Sequence, residues 1–166
     1  VVPSVYSYVG LEGTINDENK VLDSFIGIGN PVLSGSEVVL RGVEKVALND
    51  QRGTISRTIS NLSALPETEI ELNTIAKFFT NSEVITQNDA TETKIRDMDL
   101  SGFDVVAFAT HALVSNDIDD LFEPAIVLTP VDSDNPENDG LLMASEIAEL
   151  SIDADIVLLS ACNTAS

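Results

Sequence analysis

The sequence contains one cysteine and one histidine in 166 residues. A single cysteine excludes an internal disulfide and a cysteine-rich zinc site. Basic residues are scarce as well: Lys and Arg number 8 against 28 Asp and Glu, for a formal net charge of −20. That balance argues against nucleic-acid binding through a phosphate-neutralising face and against attraction to an anionic membrane surface. No apolar run approaches the roughly 20 residues that span a bilayer. The longest runs are strand-sized, such as Val105 to Ala109 and Ile156 to Leu159. What is present is globular: 43% apolar and 22% charged residues, in a length suited to one domain.

The charge is unevenly spread. Every Lys and Arg lies at or before Arg96, and fifteen Asp and Glu follow from Asp97 to Ser166. This reads as a solvated acidic surface or as an acidic rim that draws a basic or polar partner. The chain starts at Val1 and stops at Ser166, just after an apolar segment. Both ends suggest a piece of a longer protein.

Hydrophobic patterning predicts alternating strands and helices. Ser24 to Val32 reads as a buried strand ending in an Asn30-Pro31 turn. Gly27-Ile28-Gly29 invites a dinucleotide-binding reading, but a third glycine is needed at position 32, which is Val32, so the fingerprint fails. Residues 33–65 are polar and weakly periodic, and read as a peripheral loop or insertion. Pro66-Glu67-Thr68-Glu69 opens a helix, with early acids at its positive end. Further strands are expected at Val84-Ile85, Asp104 to His111, Ala125 to Leu128 and Asp155 to Ala161. Further helices are expected at Asp89 to Met98 and Leu142 to Leu150. The runs at Val105 and Ile156 are apolar on both faces, which predicts an α/β layered fold with a mostly parallel central sheet flanked by helices.

In such sheets chemistry gathers at the carboxyl ends of strands. The sole histidine, His111, and the sole cysteine, Cys162, each end a predicted buried strand. If those strands are adjacent and parallel, about 4.8 Å apart, an imidazole and a thiol emerge at one edge. A free thiol has a pKa of about 8.5 and is mostly protonated at neutral pH. A nearby imidazole accepts that proton or stabilises the thiolate, and later protonates a leaving amine. The alternative is a buried structural cysteine with a hydrogen-bonded histidine. The acid-rich C-terminal stretch itself disfavours a thiolate.

Two weaker signals remain. Asn135-Pro136-Glu137-Asn138-Asp139-Gly140 with Glu146 approximates a calcium-loop spacing, against a polar turn entering a helix. Asp117, Asp119, Asp120 and Glu123 form an acidic cluster after His111. It reads as an exposed loop, a rim of a substrate groove, or a weak cation site.

Five segments, in order, resemble the CHAT family, a branch of the caspase-like cysteine peptidases related to separase. They are Gly27-Ile28-Gly29-Asn30-Pro31; Leu65-Pro66-Glu67-Thr68-Glu69 with Ile75-Ala76; Phe103-Asp104-Val105-Val106-Ala107-Phe108-Ala109-Thr110-His111-Ala112; Asp139-Gly140-Leu141-Leu142 with Glu146-Ile147; and Ile156-Val157-Leu158-Leu159-Ser160-Ala161-Cys162-Asn163-Thr164. The resemblance implies a caspase-like sandwich in which Cys162 is the nucleophile and His111 its acid–base partner. It further implies an oxyanion hole from the backbone N–H groups of Ala112 and Cys162. Family members more often carry Gly where this chain has Ala112; the N–H survives that change. The chain then corresponds to the dyad-carrying half of a CHAT domain spanning residues 1–166.

The expected activity is endopeptidase cleavage of a protein substrate through an acyl-enzyme, without cofactor or metal. The rival is a catalytically silent CHAT-like scaffold module. Caspases hold a substrate Asp with arginines, and no arginine follows Arg96. Metacaspases place an acid two residues before the nucleophile, where this chain has Ser160. A basic or neutral P1 residue is therefore expected. Relatives often carry TPR-type repeats and some answer to CRISPR effectors, so a regulatory partner or attached repeat domain is expected by family analogy. An unpaired reactive thiol suits a reducing, cytoplasmic compartment.

Overall fold

The computed structural model describes residues 21–33, 58–114, 121–131 and 138–160. Strand β1 (Ser24–Pro31) is buried along its whole length. A short helical stretch follows at 58–61, within the segment expected to be a loop, and places Ile59 fully inside. Most of the 33–65 segment, and residues 115–120, 132–137 and 161–166, lie outside the described residues.

Helix α1 (Pro66–Ala76) starts where the sequence predicts, with Pro66 in its first turn and Glu67 and Glu69 beside the helix N-terminus. Thr68 Oγ1 donates to the Leu65 carbonyl at 2.8 Å and accepts from the Asn30 N–H at 3.0 Å. Asn30 has φ of 42°, and its side chain donates to Glu69 at 2.8 Å. Asn tolerates that left-handed backbone better than most residues. The predicted turn is thus clipped onto the start of α1.

Strand β2 (Asn81–Gln87), helix α2 (Glu92–Arg96), a 3₁₀ turn (Leu100–Gly102) and β3 (Val105–Ala109) follow. Short strands β4 (Ala112–Leu113), β5 (Ala125–Val127) and β6 (Leu141–Met143) come next, then helix α3 (Ala144–Ile147) and β7 (Ile156–Leu159). Strands β2-β1-β3-β7 form a parallel sheet in that order. Strands β4-β5-β6 form a second, antiparallel sheet. The parallel sheet is the expected α/β core, consistent with a caspase-like sandwich. The antiparallel sheet was not expected.

The sheet is covered on both faces. Phe25, Val105, Ala107 and Ala109 pack with Leu72, Ile75 and Ala76 of α1. Ile26, Ile28, Val106 and Phe108 pack with Ile95, Leu100, Ile126 and Leu142 on the other face. A third cluster, with Leu33, Ile59, Leu113, Val127 and Leu141, lies around the antiparallel sheet. The Gly27-Ile28-Gly29 pattern finds its explanation in packing. A Cβ on Gly27 would come within 2.8 Å of Leu72 Cδ2, and one on Gly29 within 2.6 Å of the Ala109 carbonyl oxygen. These glycines let α1 and β3 approach the β1 backbone.

Two expectations are corrected. Leu141 and Leu142 are strand residues paired with Val127 and Ile126, so the helix predicted from Leu142 to Leu150 shortens to α3. Strand β7 is not buried on both faces: Val157 is 48% exposed and Leu159 65% exposed. It is the edge strand of the described sheet, and the cover over Val106 and Phe108 does not extend over it. Among the described residues no helix is long and apolar enough to cross a membrane.

Candidate active site

Strand β3 ends at Ala109 and β4 begins at Ala112. Thr110 and His111 therefore form the corner where the chain leaves the parallel sheet for the antiparallel one. His111 stands two residues beyond the strand it was expected to end, and it is only 3% exposed.

The ring of His111 is held from outside both sheets. Its Nε2 lies 2.8 Å from the Ser63 carbonyl oxygen. A carbonyl only accepts, so Nε2 carries the proton, and a neutral ring then has its lone pair on Nδ1. Ser63 follows the helical stretch at 58–61, which is anchored by Ile59 and Leu62 in the third apolar cluster. The Leu62 N–H donates to the Ile59 carbonyl, and Pro66 starts α1 three residues after Ser63. Sequence reasoning missed Ser63, because a main-chain acceptor leaves no side-chain signature.

The backbone of the corner is held by β5. The Val127 N–H donates to the His111 carbonyl at 2.9 Å, and Thr110 Oγ1 donates to the Val127 carbonyl at 2.7 Å. Ala112 stands opposite Ile126 in the β4–β5 ladder. Because His111 and Val127 are bonded, the alternation of an antiparallel ladder turns the Ala112 N–H away from β5. Among the described residues β4 is the edge of its sheet, so that donor projects from the edge beside His111.

Cys162 lies outside the described residues, as do Asp117, Asp119, Asp120, Asn135, Pro136 and Glu137. The ladder leading to Cys162 is described as far as Ser160, whose N–H donates to the Phe108 carbonyl at 2.8 Å.

A second polar cluster sits away from His111. Glu92 is 1% exposed; its Oε1 accepts from the Gly140 N–H at 2.6 Å and its Oε2 from Arg96 at 2.8 Å. Arg96 also reaches Glu146 Oε1 at 2.7 Å, and Glu146 Oε2 accepts from the Met143 N–H at 2.8 Å. Glu146, the last position of the calcium-like spacing, thus caps α3 and pairs with a cation. Burial pushes the Glu92 carboxyl up to about 7, reinforced by the negative Asp139 and Glu146 and opposed by the Gly140 N–H and Arg96. Beside this cluster is an open cavity of about 670 Å³ whose lining includes Arg96, Asp97, Asp99 and Glu149, but neither His111 nor Ala112. Among the described residues, no three His, Cys, Asp or Glu side chains are grouped to hold a metal ion.

Comparison with curated proteins and with solved structures returns no match. The family model of the CHAT domain matches residues 6–166. A match over nearly the whole length, on a parallel sheet that delivers His111 to its carboxyl edge, establishes that the chain belongs to the CHAT domain family.

Proposed function

We propose that this chain carries the catalytic dyad of a caspase-like cysteine endopeptidase, with Cys162 as nucleophile and His111 as acid–base partner. The observation that carries the reading is the register of β3 and β7. The offset that pairs Val105 with Ile156 and Phe108 with Leu159 is the offset that separates His111 from Cys162. The Ser63 carbonyl adds to this, since it leaves His111 Nδ1 as the basic atom.

In this reading His111 Nδ1 takes the thiol proton, and the Cys162 sulfur attacks the scissile carbonyl. The Ala112 and Cys162 N–H groups stabilise the tetrahedral oxyanion. The imidazolium protonates the leaving amine, and the acyl-enzyme is hydrolysed by a water that His111 deprotonates. The acid-rich C-terminal stretch favours a basic or neutral P1 residue over Asp. The setting proposed is cytoplasmic, with a protein substrate and control by a regulatory partner or an attached repeat domain.

Cleavage of peptides that differ only at P1, as Arg, Leu or Asp, tests the proposal. Turnover of the Arg or Leu peptide, lost in Cys162→Ser and His111→Ala, is the expected result. Preferred cleavage of the Asp peptide contradicts the specificity. Turnover that survives both substitutions contradicts the dyad.

A further inference from the structure

The corner that presents His111 is gripped from both sides. On the β1 side, a Cβ on Gly29 would come within 2.6 Å of the Ala109 carbonyl oxygen and 3.3 Å of the Ala109 side chain. The peptide entering Thr110 is thus packed directly on the β1 backbone. On the β5 side the grip is polar. In a regular ladder the Val127 carbonyl would face the His111 N–H; here it accepts from the Thr110 hydroxyl, which is buried with its residue 1% exposed. A side chain takes the place of a ladder bond where the chain changes sheets, while the Val127 N–H still holds the His111 carbonyl.

We infer that Thr110 is a positioning residue for the dyad: its hydroxyl fixes the turn of the chain at His111 and so fixes where Nδ1 stands. The inference rests on the Cys162–His111 reading above. Two acceptor–donor pairs on one residue of β5 hold adjacent residues of the corner, and the Ser63 carbonyl holds the ring. With the hydroxyl removed, the Val127 carbonyl loses its side-chain donor in a site closed to water. The corner is then free to shift towards β4 geometry and carry the ring with it. Displacements of about 1 Å are enough to lower a rate about 100-fold.

The test uses the only histidine and the only cysteine of the chain as probes. Imidazole nitrogen shifts of His111 and the pH profile of Cys162 alkylation are measured for wild type, Thr110→Val, Thr110→Ser and His111→Ala. Wild type and Thr110→Ser are expected to hold the Nε2–H tautomer and an acid-shifted alkylation profile. Thr110→Val is expected to mix tautomers and to react about 10- to 100-fold more slowly at pH 6.5. A Thr110→Val protein of lowered melting temperature but wild-type tautomer and pH profile would overturn the inference, leaving Thr110 merely structural. So would a wild-type ring in the Nδ1–H tautomer, which needs no variant to fold. If His111→Ala alkylates like wild type, it is the dyad reading that fails.

Discussion

At the scale of single residues, the groups proposed for chemistry and the groups held for structure differ in how plainly the sequence displays them. The proposed pair, His111 and Cys162, stands out in the sequence because each is the only one of its kind. Ser63 and the Thr110 hydroxyl were not legible, since one acts through its main chain and the other reads as an ordinary strand residue. Glu92 was also hidden: only the fold reveals that it is buried against the Gly140 N–H. Its carboxyl is raised from 4.5 to about 7, so the folded chain keeps a proton that the unfolded chain has released. Its contribution to stability therefore falls as pH rises from about 4.5 to about 7, then levels off. A shift of that size amounts to about 3 kcal/mol at most. Urea denaturation of Glu92→Gln across this window is expected to lack that part of the slope. The slope is the readout, because Gln also changes the contact with Arg96. Parallel stability–pH curves for the two proteins would contradict the assignment.

At the scale of elements, long apolar strands announced themselves and short ones did not. Strands β1 and β3 are buried throughout, so their continuous apolar runs were sufficient. Strands β4 and β6 have two and three residues, too few to display a period of two. Leu141-Leu142 fits a helical pattern as well as a strand, and pairing with β5 decides between them. The glycines of β1 show the reverse case, in which a pattern was visible and its reason was not. Gly29→Ala places a methyl within 2.6 Å of the Ala109 carbonyl and 2.8 Å of Leu72 Cδ1. It is expected to destabilise the fold by about 1–3 kcal/mol, since the backbone oxygen has little room to retreat. Chemical denaturation checks this. A neutral or stabilised variant would show that β1, α1 and β3 are not packed as tightly as described.

At the scale of the whole molecule, the parallel and antiparallel sheets of the described residues meet at a two-residue corner, and that corner carries the histidine. The parallel sheet sets the register in which β3 and β7 run side by side. The antiparallel sheet turns the Ala112 N–H outward at its edge. The segment before α1 supplies the carbonyl that orients the ring. The parallel layer was legible in the sequence, whereas the antiparallel one arises from tertiary pairing of short segments. An acidic chain of net charge −20 disfavours a thiolate, so the proposed dyad requires local support from His111. The rate of Cys162 alkylation from pH 5 to 9, in wild type and His111→Ala, tests this most directly. An ordinary thiol of pKa about 8.5 is only about 1% thiolate at pH 6.5. The account predicts an acid-shifted wild-type profile that reverts to ordinary thiol behaviour in His111→Ala. Slow alkylation with the same ordinary profile in both proteins would contradict it.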